Sequence, residues 1–150
     1  MPVTLQQVDQ AAWEADAQVR LDLARIYADA PAERLPLPVD EFIRDHLASG
    51  HLFSCARFND RLLGAVAVKS DHNAWWLSNL CVRRTTRRRG VGSRLLALVS
   101  ENAHAAGRRL YADSSRLPVA DQMLLTRLGY RLTKDGDYFE LDVPSPGGRQ

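Results

Sequence analysis

The stretch Arg83-Arg84-Thr85-Thr86-Arg87-Arg88-Arg89-Gly90-Val91-Gly92 limits what this chain can become more than any other segment. It follows an apolar, β-type run ending Leu80-Cys81-Val82, and from Ser93 onward apolar residues recur at helical spacing. A strand must therefore turn into a helix through a loop holding five arginines and two glycines. The first turn of any helix has backbone N–H groups without partners and carries the positive end of the helix dipole. Gly90 and Gly92 keep side chains away from those groups, while Arg87, Arg88 and Arg89 add donors and charge beside them. Such a loop suits a phosphate-bearing anion. Neither the GxxxxGK[ST] nor the GxGxxG template is present to specify a nucleotide.

The rest of the chain narrows the class. Its 20 basic and 18 acidic residues leave a formal charge of +2, with the excess concentrated around the arginine loop. A dedicated nucleic-acid protein carries a broader basic face with interleaved aromatics, so no nucleic-acid partner is expected. Cys55 and Cys81 each sit in an apolar run without CxxC or Cys/His spacing, which predicts reduced core thiols and no metal. The N-terminus MPVTLQQVDQ has neither a basic n-region nor an apolar h-region. No apolar run approaches the ~20 residues of a membrane span. A cytoplasmic protein is expected, with no membrane partner; both monomer and dimer remain open.

The 150 residues suffice for one domain, predicted over 1–143, with a disordered tail PSPGGRQ at 144–150. Alternation predicts a strand at 3–8, and helical spacing predicts one helix over 9–30, with Asp9 as N-cap and Pro31 beyond its end. A proline-punctuated loop leads to a short helix over 38–48. A β-hairpin follows around Asn59-Asp60, then a strand at 74–82 and a helix at 93–106. A strand at 108–114, a helix at 118–128 stopped by Gly129, and a hairpin around 134–137 complete the order β-α-α-β-β-β-α-β-α-β-β. The fold class is α/β (α+β), a mixed, mostly antiparallel sheet of about seven strands with about four helices. Trp75 and Trp76 must face opposite sides of their strand, one toward the core and one toward a cleft or partner. His46, His51, His72 and His104 are expected at the surface.

The pattern Arg87-x-x-Gly90-x-Gly92 after a Leu80-Cys81-Val82 strand and before an amphipathic helix resembles the acyl-CoA motif of the GCN5-related N-acetyltransferase (GNAT) superfamily. The element order resembles that fold over nearly the whole chain. The resemblance implies acetyl-CoA (or CoA) as cofactor. Leu80, Cys81 and Val82 would pair with the pantetheine arm; Thr86, Arg87, Arg88, Arg89, Gly90, Val91, Gly92 and Ser93 would hold the pyrophosphate. In many members a tyrosine four residues before the last helix's final glycine serves as general acid, and that position here is Leu125. The substitutes are Asp113 as a base and Tyr111 as an acid.

Two stretches, CARFNDRLLGAV (55–66) and VRRTTRRRGVGSRLL (82–96), are similar to the PanZ/PanM group within that superfamily. That resemblance implies an acetyl-CoA sensor that docks on the pro-enzyme of aspartate 1-decarboxylase through Arg57, Phe58 and Asn59. Asn59 is equally what a tight hairpin turn requires for backbone reasons. Three functions stay open: a regulatory sensor with little or no transferase activity, an N-acetyltransferase acting on a small amine or protein N-terminus, and a phosphate-rich nucleic-acid binder.

Overall fold

The computed structural model describes residues 2–71, 74–113, 119–133 and 136–141. The tail at 144–150, His72, and Lys134 and Asp135 of the last turn lie outside them.

The chain runs β1 (Thr4–Val8), α1 (Gln10–Ala15), α2 (Ala17–Ala28), α3 (Val39–Ala48), β2 (Leu52–Phe58), β3 (Arg61–Ser70) and β4 (Ala74–Val82). It continues α4 (Val91–Ala106), β5 (Arg109–Asp113), α5 (Val119–Arg127), β6 (Arg131–Leu132) and β7 (Tyr138–Leu141). The seven strands form one sheet in the order β1-β2-β3-β4-β5-β7-β6. Every pairing is antiparallel except β4–β5. This is the predicted class, with one helix more than expected. Asp9 caps α1 as expected, accepting from the Ala12 N–H at 2.9 Å. The helix predicted over 9–30 is then split at Asp16, whose backbone is extended (φ −133°, ψ 110°). The Asp16 carboxylate accepts from the N–H groups of Gln18 and Val19, making it the N-cap of a second helix.

Neighbouring residues of β3 divide between two apolar clusters, as strand geometry requires. Val66 and Val68 pack with Leu95, Leu96 and Val99 of α4 and with Leu110. Ala65 and Ala67 pack with Phe53, Cys55 and the buried faces of α2 and α3. Trp75 lies against the first cluster, so its neighbour Trp76 faces the other way. Cys55 and Cys81 are both free and buried. At the β2–β3 turn Asn59 (φ 49°) and Asp60 (φ 62°) are both left-handed, the combination a two-residue hairpin loop requires. No helix among the described residues is long and apolar enough to cross a membrane.

His46 departs from expectation. It is buried, its Nε2–H donates to the Leu52 carbonyl at 2.6 Å, and its ring lies against Phe53 with centroids 4.5 Å apart. Burial disfavours the imidazolium and lowers its pKa below the ordinary 6.5, more than the Leu52 carbonyl compensates. The unfolded chain therefore binds a proton that the folded chain resists. Stability on this account is full above about pH 6.5 and falls as pH drops below it toward the lowered folded pKa. The thermal midpoint should decline from about pH 7 to about pH 5. His46→Phe should flatten that stretch of the profile even where it lowers the midpoint throughout.

Candidate functional site

The sheet opens where β4 leaves β5. Their parallel pairing stops at Leu77 opposite Ala112, so residues 78–82 continue without a β5 partner among the described residues. A bulge in the β3–β4 ladder helps turn this stretch aside. Ala67 faces Ser78 and Ala65 faces Cys81, so Asn79 and Leu80 share one opposing residue. Asn79 is left-handed at φ 52°. Its carbonyl accepts from the Tyr27 hydroxyl at 2.8 Å, and its side-chain amide donates to the Arg34 carbonyl at 3.2 Å. No sequence signal marked this bulge.

The opening leads into a cleft of about 1090 Å³. Small-molecule sites typically hold ~300–1,000 Å³, so there is room for a large, elongated ligand. Of the residues predicted to bind cofactor, Leu80, Cys81, Val82, Thr86, Arg87, Arg88, Gly90, Val91, Gly92 and Ser93 all line it, whereas Arg89 does not. Helix α4 begins at Val91, two residues earlier than expected, with Gly90 as N-cap at φ 79° and no side chain capping it. The Arg94 N–H is the first to donate back, to the Gly90 carbonyl, leaving the N–H groups before it available. A Cβ on Gly90 would meet nothing within 4 Å, whereas one on Gly92 would press on Val82 Cγ2 at 3.3 Å.

The five arginines do different things. Arg83 Nε and the Arg84 N–H both donate to Asp29 Oδ2, at 3.2 and 2.9 Å. The Arg84 N–H, with Arg83 beside it, holds the Asp29 carboxyl below its usual range. Arg87 turns back to donate to the carbonyls of Val82 (3.2 Å) and Asp29 (2.9 Å), so its guanidinium braces the loop. Arg88, left-handed at φ 68°, lines the cleft with no side-chain hydrogen bond or ion pair among the described residues. Sequence alone could not separate these roles, because they depend on where α2 ends.

Of the proposed catalytic groups, Asp113 lines the cleft at the end of β5. Tyr111 does not; it stacks on Trp76 (centroids 4.6 Å, 25° between planes) and meets Tyr138 edge-on. Leu125 is 2% exposed in the α4-side core, and α5 turns Ala120, Asp121, Leu124 and Arg127 to the cleft instead. Neither Leu124 nor Leu125 carries a hydroxyl. Sequence reasoning missed Asp121, which also lines the cleft; burial raises its pKa, with Arg34 acting the other way. An acid in the first turn of a helix reads as ordinary capping, and no signal distinguished it. No group of three His, Cys, Asp or Glu residues among the described residues could hold a metal.

The sequence profile of the PanZ acetyltransferase (GNAT) domain matches residues 2–125. The chain belongs to that PanZ family. It is 42% identical over 80 residues to a PanD regulatory factor of Salmonella typhimurium, and 41% identical over 86 residues to one of Escherichia coli. Those alignments take in 53% and 57% of this chain and only 55% and 59% of the relatives, so the chain spans little more than half the length of the curated relatives it matches. The solution structure of YhhK from Escherichia coli, bound to coenzyme A, covers 93% of this chain and 98% of its own at 28% identity, with a TM-score of 0.60. The aminoglycoside 6′-N-acetyltransferase of Enterococcus faecium covers 95% and 99% at 14% identity with a TM-score of 0.68, a likeness of fold. The residues expected to meet a partner sit at the tip of the β2–β3 hairpin. Arg57 and Asn59 are exposed there, Arg57 paired to Asp60 at 2.6 Å, while Phe58 packs partly into the core.

Proposed function

We propose that the cleft binds acetyl-CoA and that the protein is an acetyl-CoA-dependent regulator of aspartate 1-decarboxylase rather than a working acetyltransferase. The observation that carries this is a glycine-opened, uncapped helix turn beside a cleft whose usual tyrosine-acid position, Leu125, has no hydroxyl. The left-handed Gly90, the uncapped first turn of α4 and the open edge of β4 suit a diphosphate followed by an amide-bearing arm. Leu124 and Leu125 leave the usual tyrosine position of α5 without a hydroxyl to protonate a leaving thiolate. Arg57, Phe58 and Asn59 form the surface offered to the decarboxylase precursor. The "PanD regulatory factor" relatives and the CoA-bound YhhK neighbour support both halves.

The test is binding of purified protein to the decarboxylase precursor of its own organism, with and without acetyl-CoA. Capture that requires acetyl-CoA, with the thioester intact after long incubation, is the expected result. Absence of capture in the presence of acetyl-CoA overturns the partner. Steady release of CoA with a member of an amine panel would make the chain an N-acetyltransferase, with Asp113 as base.

A further inference from the structure

Helix α2 touches both the proposed cofactor loop and the proposed partner hairpin. Near its middle Asp22, 1% exposed, takes Arg61 in a two-armed grip, Nη2 to Oδ1 at 2.7 Å and Nε to both oxygens at 3.1 Å. The Leu62 N–H donates to the same carboxylate at 3.0 Å. Arg61 and Leu62 directly follow the Asn59-Asp60 turn, so the hairpin is held at its root. Further along α2, the Ile26 carbonyl accepts from the Cys81 thiol at 3.1 Å, and Tyr27 holds the Asn79 bulge. At its end Asp29 takes Arg83 and the Arg84 N–H through its carboxylate and Arg87 through its carbonyl. Residues 22 and 29 are two turns apart on one helix face, about 10 Å along the axis.

The loop at the far end of this helix depends on its anchors. Two of the three residues from Arg88 to Gly90 are left-handed, one of them an arginine, a conformation that persists only where surroundings impose it. An anion bound at the first turn of α4 would further order the loop, and an ordered loop would fix the groups that grip Asp29. We propose that α2 carries cofactor occupancy to the partner hairpin, with Asp29 reading the loop and Asp22 holding the hairpin as positioning residues, an inference resting on the ligand and surface roles given above. The rival route is the β3–β4 ladder, where Gly64 faces Val82 and the Arg83 N–H donates to the Leu63 carbonyl at 2.8 Å.

Amide hydrogen exchange at residues 57–62, with and without saturating acetyl-CoA, separates the two routes. In the wild type acetyl-CoA should slow exchange there by about tenfold. Asp22→Asn and Asp29→Asn should each remove most of that slowing, and the double variant should remove no more than either, as two cuts in one series link must. Asp22→Asn should keep acetyl-CoA affinity within about threefold, since Asp22 lies away from the loop. Arg61→Lys makes the same cut at the hairpin should Asp22→Asn fold poorly. Undiminished slowing in both single variants would assign the coupling to the ladder and overturn the proposal, as would no slowing in a wild type that binds acetyl-CoA. Because exchange reads this chain alone, slowing that behaves as expected upholds the α2 link even where the decarboxylase precursor fails to bind.

Discussion

Gly90→Val and Gly92→Leu should each lower acetyl-CoA affinity by a hundredfold or more, about 2.7 kcal/mol or above. The two variants act differently. At Gly90 the backbone is left-handed (φ 79°), and a β-branched residue there costs about 1–2 kcal/mol in local strain before it meets any ligand. Its side chain would project into space that is empty within 4 Å, the space that the proposed ligand's phosphates would need. At Gly92 the added carbon presses on Val82 Cγ2 at 3.3 Å and displaces the end of the open strand. Arg88→Gln should weaken binding by about tenfold and Arg89→Gln by less than about threefold, because only Arg88 of the two lines the cleft. Isothermal calorimetry checks all four. Equal losses for Arg88 and Arg89 would mean that overall charge, not the built loop, attracts the ligand.

Removing the Asp22 carboxylate should be the most damaging change to a polar side chain outside the cleft. Asp22→Ala strands the Leu62 N–H and the Arg61 guanidinium, at a cost of about 2–3 kcal/mol. For a chain of this size that lowers the thermal midpoint by about 5–10 °C. The cost stays below that of a fully buried pair because the Arg61 side chain is 43% exposed and can turn to water. Arg61→Ala should cost less, since Asp22 keeps donors from Gln18 and Leu62. Calorimetric or denaturant unfolding that ranked Arg61→Ala as equal or worse would contradict this asymmetry. Burial pushes the Asp22 carboxyl up, but Arg61, the Leu62 N–H and Gln18 outweigh it and hold the pKa below 3.8. Its stabilisation is therefore present above that pH and lost only as pH falls through the lowered value, well below the His46 window.

How much of this was legible in sequence depended on whether the signal was local. The Asn59-Asp60 turn, the glycine stop at Gly129 and the opposed Trp75 and Trp76 were readable because each follows from backbone geometry within a few residues. Asp16 was misread as helix interior: its side chain competes for the backbone of Gln18 and Val19, and periodicity does not register that competition. His46 reads as a surface residue in sequence because its burial depends on Phe53 and Leu52 arriving from the next strand. The position of the arginine–glycine loop between β4 and α4 was legible, and its division of labour was not. Arg83 and Arg87 owe their roles to Asp29, more than fifty residues earlier. The distinction between the buried Leu125 and the cleft-facing Leu124 depends on how α5 rolls against the sheet, which spacing from Gly129 cannot specify.

The most direct test of the phosphate loop is calorimetry of the purified protein with acetyl-CoA and with CoA, followed by assay of the remaining thioester. Saturable one-to-one binding with the thioester preserved is the predicted result. No binding of either form would contradict the assignment of Gly90, Gly92 and the first turn of α4 to a CoA diphosphate.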